Sequence, residues 1–514
     1  MARRFRGLRQ GPADSYDCIV VGAGVGGLVC ANLLARAGLT VLLIEQHFLV
    51  GGYCSTFRRN GYTFDAATHF YPLLGNPDTI TGGLLADLGL GTDWVKMDPV
   101  DSFHFPDGSR FTVPAHFESY LAKVKREFPE ESQQIDNFFS LVKKAYLVGL
   151  IHYFRDVPTN RIAPYQNLTL QAALNKYFHC EKLKLLLTGD IGHWGSPPSR
   201  TSFVFDSMLR LAYFLGNYYP RGGSQVFVDE LAQKFEEAGG HILMGSTVRR
   251  IVVRNKTVCG VEVETGSLKT KARTFVSAGA VVSNADLRQT LESMIGPDLV
   301  DADYLMSVRQ LRHTHACFLV HIGLKDIPLE ELRKAEGYHW SSWNAEDVST
   351  SAFKVFLPTA FDPELAPPGG QIVIVQKLTD IDYRSIQDWP SHKAAIEQYV
   401  VAALEKCLPG FSKHIVVKLS ASARTSHRYT LNHHGAMLGW EMSPDQLGEG
   451  RPSERGPFRN LFFTGHWTRP GGGITPVMIS AMRVARLISG TTATQTRPGI
   501  GFEGITGSTQ EPSL

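Results

Sequence analysis

A strand–turn–helix–strand unit around Gly22-x-Gly24-x-x-Gly27, two later blocks in which strands feed glycine-rich turns, and two long insertions between them predict an α/β fold. The expected architecture is a parallel-sheet domain assembled from three separated stretches, with a discontinuous α+β second domain. A chain of 514 residues exceeds one ordinary core, and its 43% hydrophobic content can fill two. Lys plus Arg number 52 against 49 acids, and Arg3, Arg4, Arg6 and Arg9 lie in the first ten residues. The near-neutral remainder lacks the clustered basic footprint that displaces counterions from phosphates, so no nucleic-acid partner is expected.

Within residues 17–46 the pieces fall in order. Cys18 to Val21 is a short apolar run of the buried parallel kind, Leu28 to Ala37 has helical spacing, Gly38 is the stop, and Thr40 to Ile44 is a second apolar run. Gly22 permits the tight turn, Gly24 lets backbone approach a pyrophosphate, and Gly27 lets the helix pack closely on the strand. Ala23 and Gly26 complete the loop, and free N–H groups at the helix start favour an anion. Glu45, followed by Gln46, stands where a carboxylate accepts hydrogen bonds from ribose hydroxyls and repels a 2′-phosphate. The unit predicts a Rossmann-type site for FAD or NAD rather than NADP.

The next segment favours FAD. Gly51-Gly52 would let the backbone pass close to a long extended cofactor, with Ser55, Thr56 and Arg58 in reach of phosphate, before Gly61-Tyr-Thr-Phe-Asp65. This order resembles the FAD-containing amine oxidase and phytoene desaturase superfamily. A helix start at Pro220-Arg-Gly-Gly223, β-like runs at His241 to Met244, Thr247 to Val253 and Val258 to Val263, a fourth strand near Thr274 to Val276, and Val281 to Asp286 follow. They resemble the carotenoid desaturase and isomerase branch, which implies that the Val248 backbone contacts adenine; an ordinary β-meander fits the periodicity equally well. Asn460 to Val477, with Gly465, His466, Trp467, Gly473, Ile474 and Thr475, is similar to the closing signature of bacterial-type phytoene desaturases. The resemblance implies that this turn and helix start meet the flavin's N1/O2 edge.

The resulting organisation is a basic disordered arm (1–15), FAD-binding parts at 16–95, 216–300 and 431–490, a substrate and membrane-contact insertion at 96–215, a substrate domain at 301–430, and a disordered tail (491–514). The first insertion reads as helical and aromatic-rich. Phe138-Phe139, Ala145 to Phe154 behind Lys143-Lys144, Lys182 to Leu187, and Leu209 to Tyr219 suit interfacial helices or core packing. With the arginine arm they predict peripheral membrane contact. Seven scattered Cys without CxxC spacing read as reduced thiols, and an Arg3-Arg4 pair without a following apolar run does not read as an export signal, so a cytoplasmic-side, membrane-associated location is expected.

His313 and His315 would share a strand face and His433-His434 are adjacent, but neither pair has a third ligand at metal spacing, so no metal is expected. His466 and Trp467 on the closing turn, and His69 after the Gly51-Gly52 segment, are the candidate catalytic residues. The implied function is an FAD-dependent oxidoreductase acting on carbon–carbon bonds of a carotenoid or related polyene, by desaturation with hydride transfer to flavin N5 or by reduced-flavin isomerisation or saturation. A quinone or O2 is the expected electron acceptor. A flavin amine oxidase, which would want an aromatic cage, and a non-enzymatic prenyl-lipid escort are the alternatives.

Overall fold

The computed structural model describes residues 12–267 and 270–490. The apolar runs at the N-terminus become parallel strands, Ser15–Val21 and Val41–Ile44, in which Cys18 to Val21 and Val41 to Ile44 are buried because their side chains are covered on both faces. They belong to a seven-stranded sheet in the order His241–Leu243, Val41–Ile44, Ser15–Val21, Thr270–Ser283, Thr257–Ser267, Thr247–Arg254, with Leu461–Phe463 also paired to Thr270–Ser283. Strands from all three predicted FAD-binding stretches therefore hydrogen-bond in one sheet. Helix Val25–Arg36 packs against both Ser224–Glu237 and Ile474–Ser489 beside it.

Several boundaries differ from expectation. Ser15 pairs with Ser277, so the sheet begins one residue inside the expected arm, and the helix begins at Val25, directly after the turn. The two runs expected near Thr274 and Val281 are one long strand, whose first half pairs antiparallel with Thr257–Ser267 and whose second half pairs parallel with Ser15–Val21. Residues 1–11 of the arm and the tail 491–514 lie outside the described residues.

A second sheet, in the order Ile415–Ala421, Ala316–Lys325, Gly370–Thr379, Ala352–Phe356, Gly337–Trp340, Asp101–His104, Arg110–Val113, carries the other domain. Its last two strands come from the first insertion, which is therefore not purely helical. Helices Ser132–Gly149 and Phe203–Leu215 pack together over this side. Phe138, Phe139, Leu183, Leu185, Leu186 and Leu187 are buried in their core, so these segments are structural rather than interfacial. No helix among the described residues is long and apolar enough to cross a membrane.

Candidate active site

One cavity of about 940 Å³ runs from the first glycine turn to the helices of the second domain. Gly22, Gly24, Gly26, Glu45, Gln46, Gly51, Gly52, Ser55, Thr56, Val248, Gly465, His466, Gly473, Ile474 and Thr475 all line it, as does His69. Residues more than 400 positions apart thus share one wall.

The turn is close-packed for a physical reason. Gly22 sits at φ 97°, a backbone that only glycine adopts without strain, and a Cβ on Gly27 would lie 2.0 Å from the Gly22 carbonyl oxygen. Gly27 is therefore packed beneath the turn and does not reach the cavity. Asn284 occupies the centre: its Nδ2 donates to the Gly22 carbonyl at 3.2 Å, and its Oδ1 lies 2.7 Å and 2.6 Å from where Cβ atoms on Gly26 and Gly465 would be. No side chain caps the helix that starts after Gly24 or the one that starts after Gly473. Two helix N-termini thus offer backbone donors and positive dipole ends at one cavity, a cradle suited to a dinucleotide's phosphates and an electron-rich ring.

Glu45 is held at the end of its strand. Oε2 accepts the Ala23 N–H and Oε1 the His47 N–H, each at 2.8 Å. Ala23 itself is buried away from the cavity wall, and its N–H is committed to this carboxylate. Burial raises the Glu45 pKa against these hydrogen bonds. Replacing Glu45 with Ala removes a charged acceptor and is expected to weaken FAD retention roughly tenfold or more; flavin absorbance after desalting checks this.

Besides Ala23 and Gly27, two further expected residues fall elsewhere. Arg58 is exposed on the hairpin strand Thr56–Arg59 and does not line the cavity, whereas Arg59 does, because successive strand side chains point to opposite faces. Trp467 is buried behind the wall, edge-on to Trp440, with its indole N–H donated to Asn432 Oδ1 at 2.9 Å. His466 does face the cavity and lies 3.3 Å from the same Asn432 oxygen; burial, then the Arg451 charge, pushes its pKa down to about 3, so it is neutral.

His69 and His321 also line the cavity. A carbonyl oxygen only accepts, so the nitrogens facing the Ala67 and Asp65 carbonyls, His69 Nδ1 and His321 Nε2, carry the protons. Their other nitrogens are buried without a partner. Burial lowers both pKa values, to about 3 and about 4, leaving neutral imidazoles.

The histidine pairs meet in space. His313 and His315 precede the strand Ala316–Lys325 rather than sharing its face, and His313, His433 and His434 place one nitrogen each within 4.8 Å of one another. Sequence spacing concealed this convergence. Arg288 donates to His433 Nε2 at 2.6 Å and Arg384 to His434 Nε2. Two guanidinium cations thus engage one nitrogen each of His433 and His434.

The geometry defines a two-domain, dinucleotide-dependent oxidoreductase whose cofactor cradle opens into an apolar chamber. Residues 25–489 match the flavin containing amine oxidoreductase family, and the chain belongs to it. It is an FAD-dependent enzyme. It is 25% identical to the all-trans-retinol 13,14-reductase of Danio rerio, over 88% of this chain and 82% of that one. It is 26% identical to the all-trans-zeta-carotene desaturase of Myxococcus xanthus, over 90% and 91% of the two chains. An oxidoreductase from Methanosarcina mazei has the same fold, with TM-score 0.63 and 17% identity over 91% of this chain and 99% of that one.

Proposed function

We propose that the protein is an FAD-dependent oxidoreductase acting on carbon–carbon bonds of a carotenoid or related isoprenoid polyene. The observation that carries this reading is the continuity of the cavity: the glycine turns open directly onto Leu150, Phe154, Phe205, Met208, Leu209 and Leu215. An apolar tunnel suits a hydrocarbon, since each buried methylene gains about 0.8 kcal/mol. The two relatives support it, one named for saturating a retinoid and the other for desaturating a carotene. An amine cage gains no support, because Trp467 is turned away from the wall. Bound FAD would supply two-electron acceptor or donor chemistry, held by the Gly22–Gly27 turn, Glu45, the Gly51–Thr56 segment and the Gly465–Thr475 turn. The chain's own part is to orient an extended chain against that cradle and to keep water out of the apolar end.

A membrane surface is the proposed source of substrate, on the cytoplasmic side, with a quinone or O2 as electron acceptor. Leu147, Ile151 and Val157 are exposed around the π-helical turn Leu150–Phe154, whose Leu150 and Phe154 line the cavity, and the same stretch of chain carries the exposed Lys144, Arg155, Asp156 and Arg161. Apolar tips in a stretch with more cations than acids suit the boundary of an anionic bilayer. Leu147→Asp with Ile151→Asp is expected to abolish cosedimentation with phosphatidylserine-containing vesicles while leaving flavin content unchanged.

Expression in bacteria accumulating phytoene, ζ-carotene or poly-cis-lycopene, with pigment chromatography, and incubation of the purified protein with all-trans-retinol test the substrate class. A changed carotenoid or retinoid profile is expected. Unchanged profiles throughout would refute the reading.

A further inference from the structure

The wall between Phe203–Leu215 and the second sheet holds a chain of polar groups that the cradle does not use. Lys354, in the middle of the strand Ala352–Phe356, is buried; its ammonium lies 2.7 Å from Asp101 Oδ2 and 2.9 Å from His193 Nε2, between the rings of Phe70 and Tyr338. His193 Nδ1 is 2.9 Å from the Tyr213 hydroxyl, and both His193 and Tyr213 line the cavity. An ammonium has donors and no acceptor, so Nε2 must be the lone pair and Nδ1 the N–H. Nδ1–H then donates to the Tyr213 oxygen, and the tyrosine proton is left to point elsewhere. From Lys354 to Tyr213 every donor points toward the cavity, while another Lys354 N–H is donated to Asp101.

His69 and His321 spend their N–H groups on backbone carbonyls and keep their other nitrogens as buried lone pairs, and Gln376 Nε2 is donated to the Gly192 carbonyl.

We propose that Tyr213 delivers a proton to a substrate carbon, with His193, Lys354 and Asp101 as positioning residues that fix its polarity, so that the enzyme runs in the saturating direction; this rests on the polyene reading above. Saturating one carbon–carbon double bond adds a hydride equivalent, drawn from reduced flavin, and one proton. The Tyr213 O–H bond breaks as a C–H bond forms. His193 Nδ1 passes its proton to the phenolate oxygen while Lys354 passes one to Nε2, leaving an amine beside Asp101. After product leaves, a proton from water enters at Nδ1 and Nε2 returns its own to Lys354.

The test uses holoenzyme reduced anaerobically with dithionite and then mixed with all-trans-retinol, phytoene or poly-cis-lycopene in detergent micelles, following flavin reoxidation and product mass. Wild type is expected to yield a product two hydrogens heavier. Tyr213→Phe should slow this step by roughly a hundredfold or more with flavin content and dithionite reduction unchanged. Independently of turnover, ¹⁵N NMR of His193, assigned by its loss in His193→Gln, should report a protonated Nδ1 and a bare Nε2. Lys354→Met should mix the tautomers and Lys354→Arg should restore the first.

A Tyr213→Phe rate within threefold of wild type, or a protonated Nε2 in the wild type, overturns the relay while leaving the polyene reading intact. Conversion only in a parallel incubation with oxidised holoenzyme, to products two hydrogens lighter, overturns the direction. A wild type that converts none of the three probes with the flavin in either oxidation state overturns the polyene reading, and the proposal with it.

Discussion

Gly27→Ala is expected to yield protein without flavin. The added methyl carbon would lie 2.0 Å from the Gly22 carbonyl oxygen and 3.1 Å from Asn284 Nδ2. The first obstacle is backbone, and it belongs to the residue that makes the turn. Relief requires the helix Val25–Arg36 to move away from the strand Ser15–Val21, which withdraws its uncapped N-terminus from the cavity. Overpacking in a tight core destabilises by about 1–3 kcal/mol even where side chains can shift; here none can. Gly38→Ala is the control. Gly38 also has a positive φ, 88°, but nothing lies within 4 Å of its Cβ position, so only the left-handed backbone penalty of about 1 kcal/mol applies. Flavin absorbance and thermal unfolding of the two variants side by side should show a colourless, destabilised Gly27→Ala and a yellow, near-native Gly38→Ala. A yellow Gly27→Ala would mean that the turn is not the cofactor's cradle.

The part of this site that sequence made legible is the part built from local backbone. Gly22, Gly24 and Glu45 lie within one β-α-β unit, where spacing fixes geometry before any tertiary contact forms, and the resemblance supplied the two later blocks. Side-chain direction was less accessible: Arg58 and Arg59 are equivalent in composition, and only the hairpin's pleat decides which faces the cavity. His466 and Trp467 are separated in the same way, one on the wall and one behind it. Asn284 was visible as a residue of a motif, but its role depends on Gly26 and Gly465 arriving on either side of it. Lys354 had no signal at all. A lysine within Ala352–Phe356 reads as a solvated residue on an edge, and becomes a buried cation only because Asp101 is brought beside it by a strand from the other insertion.

Asp65 is the second such residue, and its removal should be as damaging as any change in the cradle. It is buried, with Oδ1 accepting the Ser224 N–H at 2.8 Å and the Ser224 hydroxyl at 2.6 Å, while Oδ2 accepts the Tyr219 hydroxyl at 2.5 Å. Ser224 opens the helix Ser224–Glu237, so the carboxylate also meets that helix's positive end. The contact joins the hairpin that follows Ser55 and Thr56 to the helix whose Val228 lies 2.7 Å from the Cβ position of Gly51. Asp65→Ala strands two buried donors, the Ser224 N–H and the Tyr219 hydroxyl, leaves the Ser224 hydroxyl only the Thr68 carbonyl, and cuts this tie, a loss of about 3–5 kcal/mol by comparison with other broken buried charge networks. The Gly51–Thr56 segment should loosen and flavin should be lost on desalting. Asp65→Asn keeps the shape and one acceptor oxygen, and should remain yellow with a smaller loss of stability. Burial outweighs the three hydrogen bonds and raises the Asp65 pKa, so the folded state holds its proton more tightly than the unfolded chain does. The contribution of Asp65 to stability therefore declines as pH climbs from the ordinary carboxylate value through the raised one. Thermal midpoints measured across that range should fall with pH in the wild type and fall less in Asp65→Asn. Equal slopes in the two proteins would mean that the carboxylate's burial is not what sets its proton affinity.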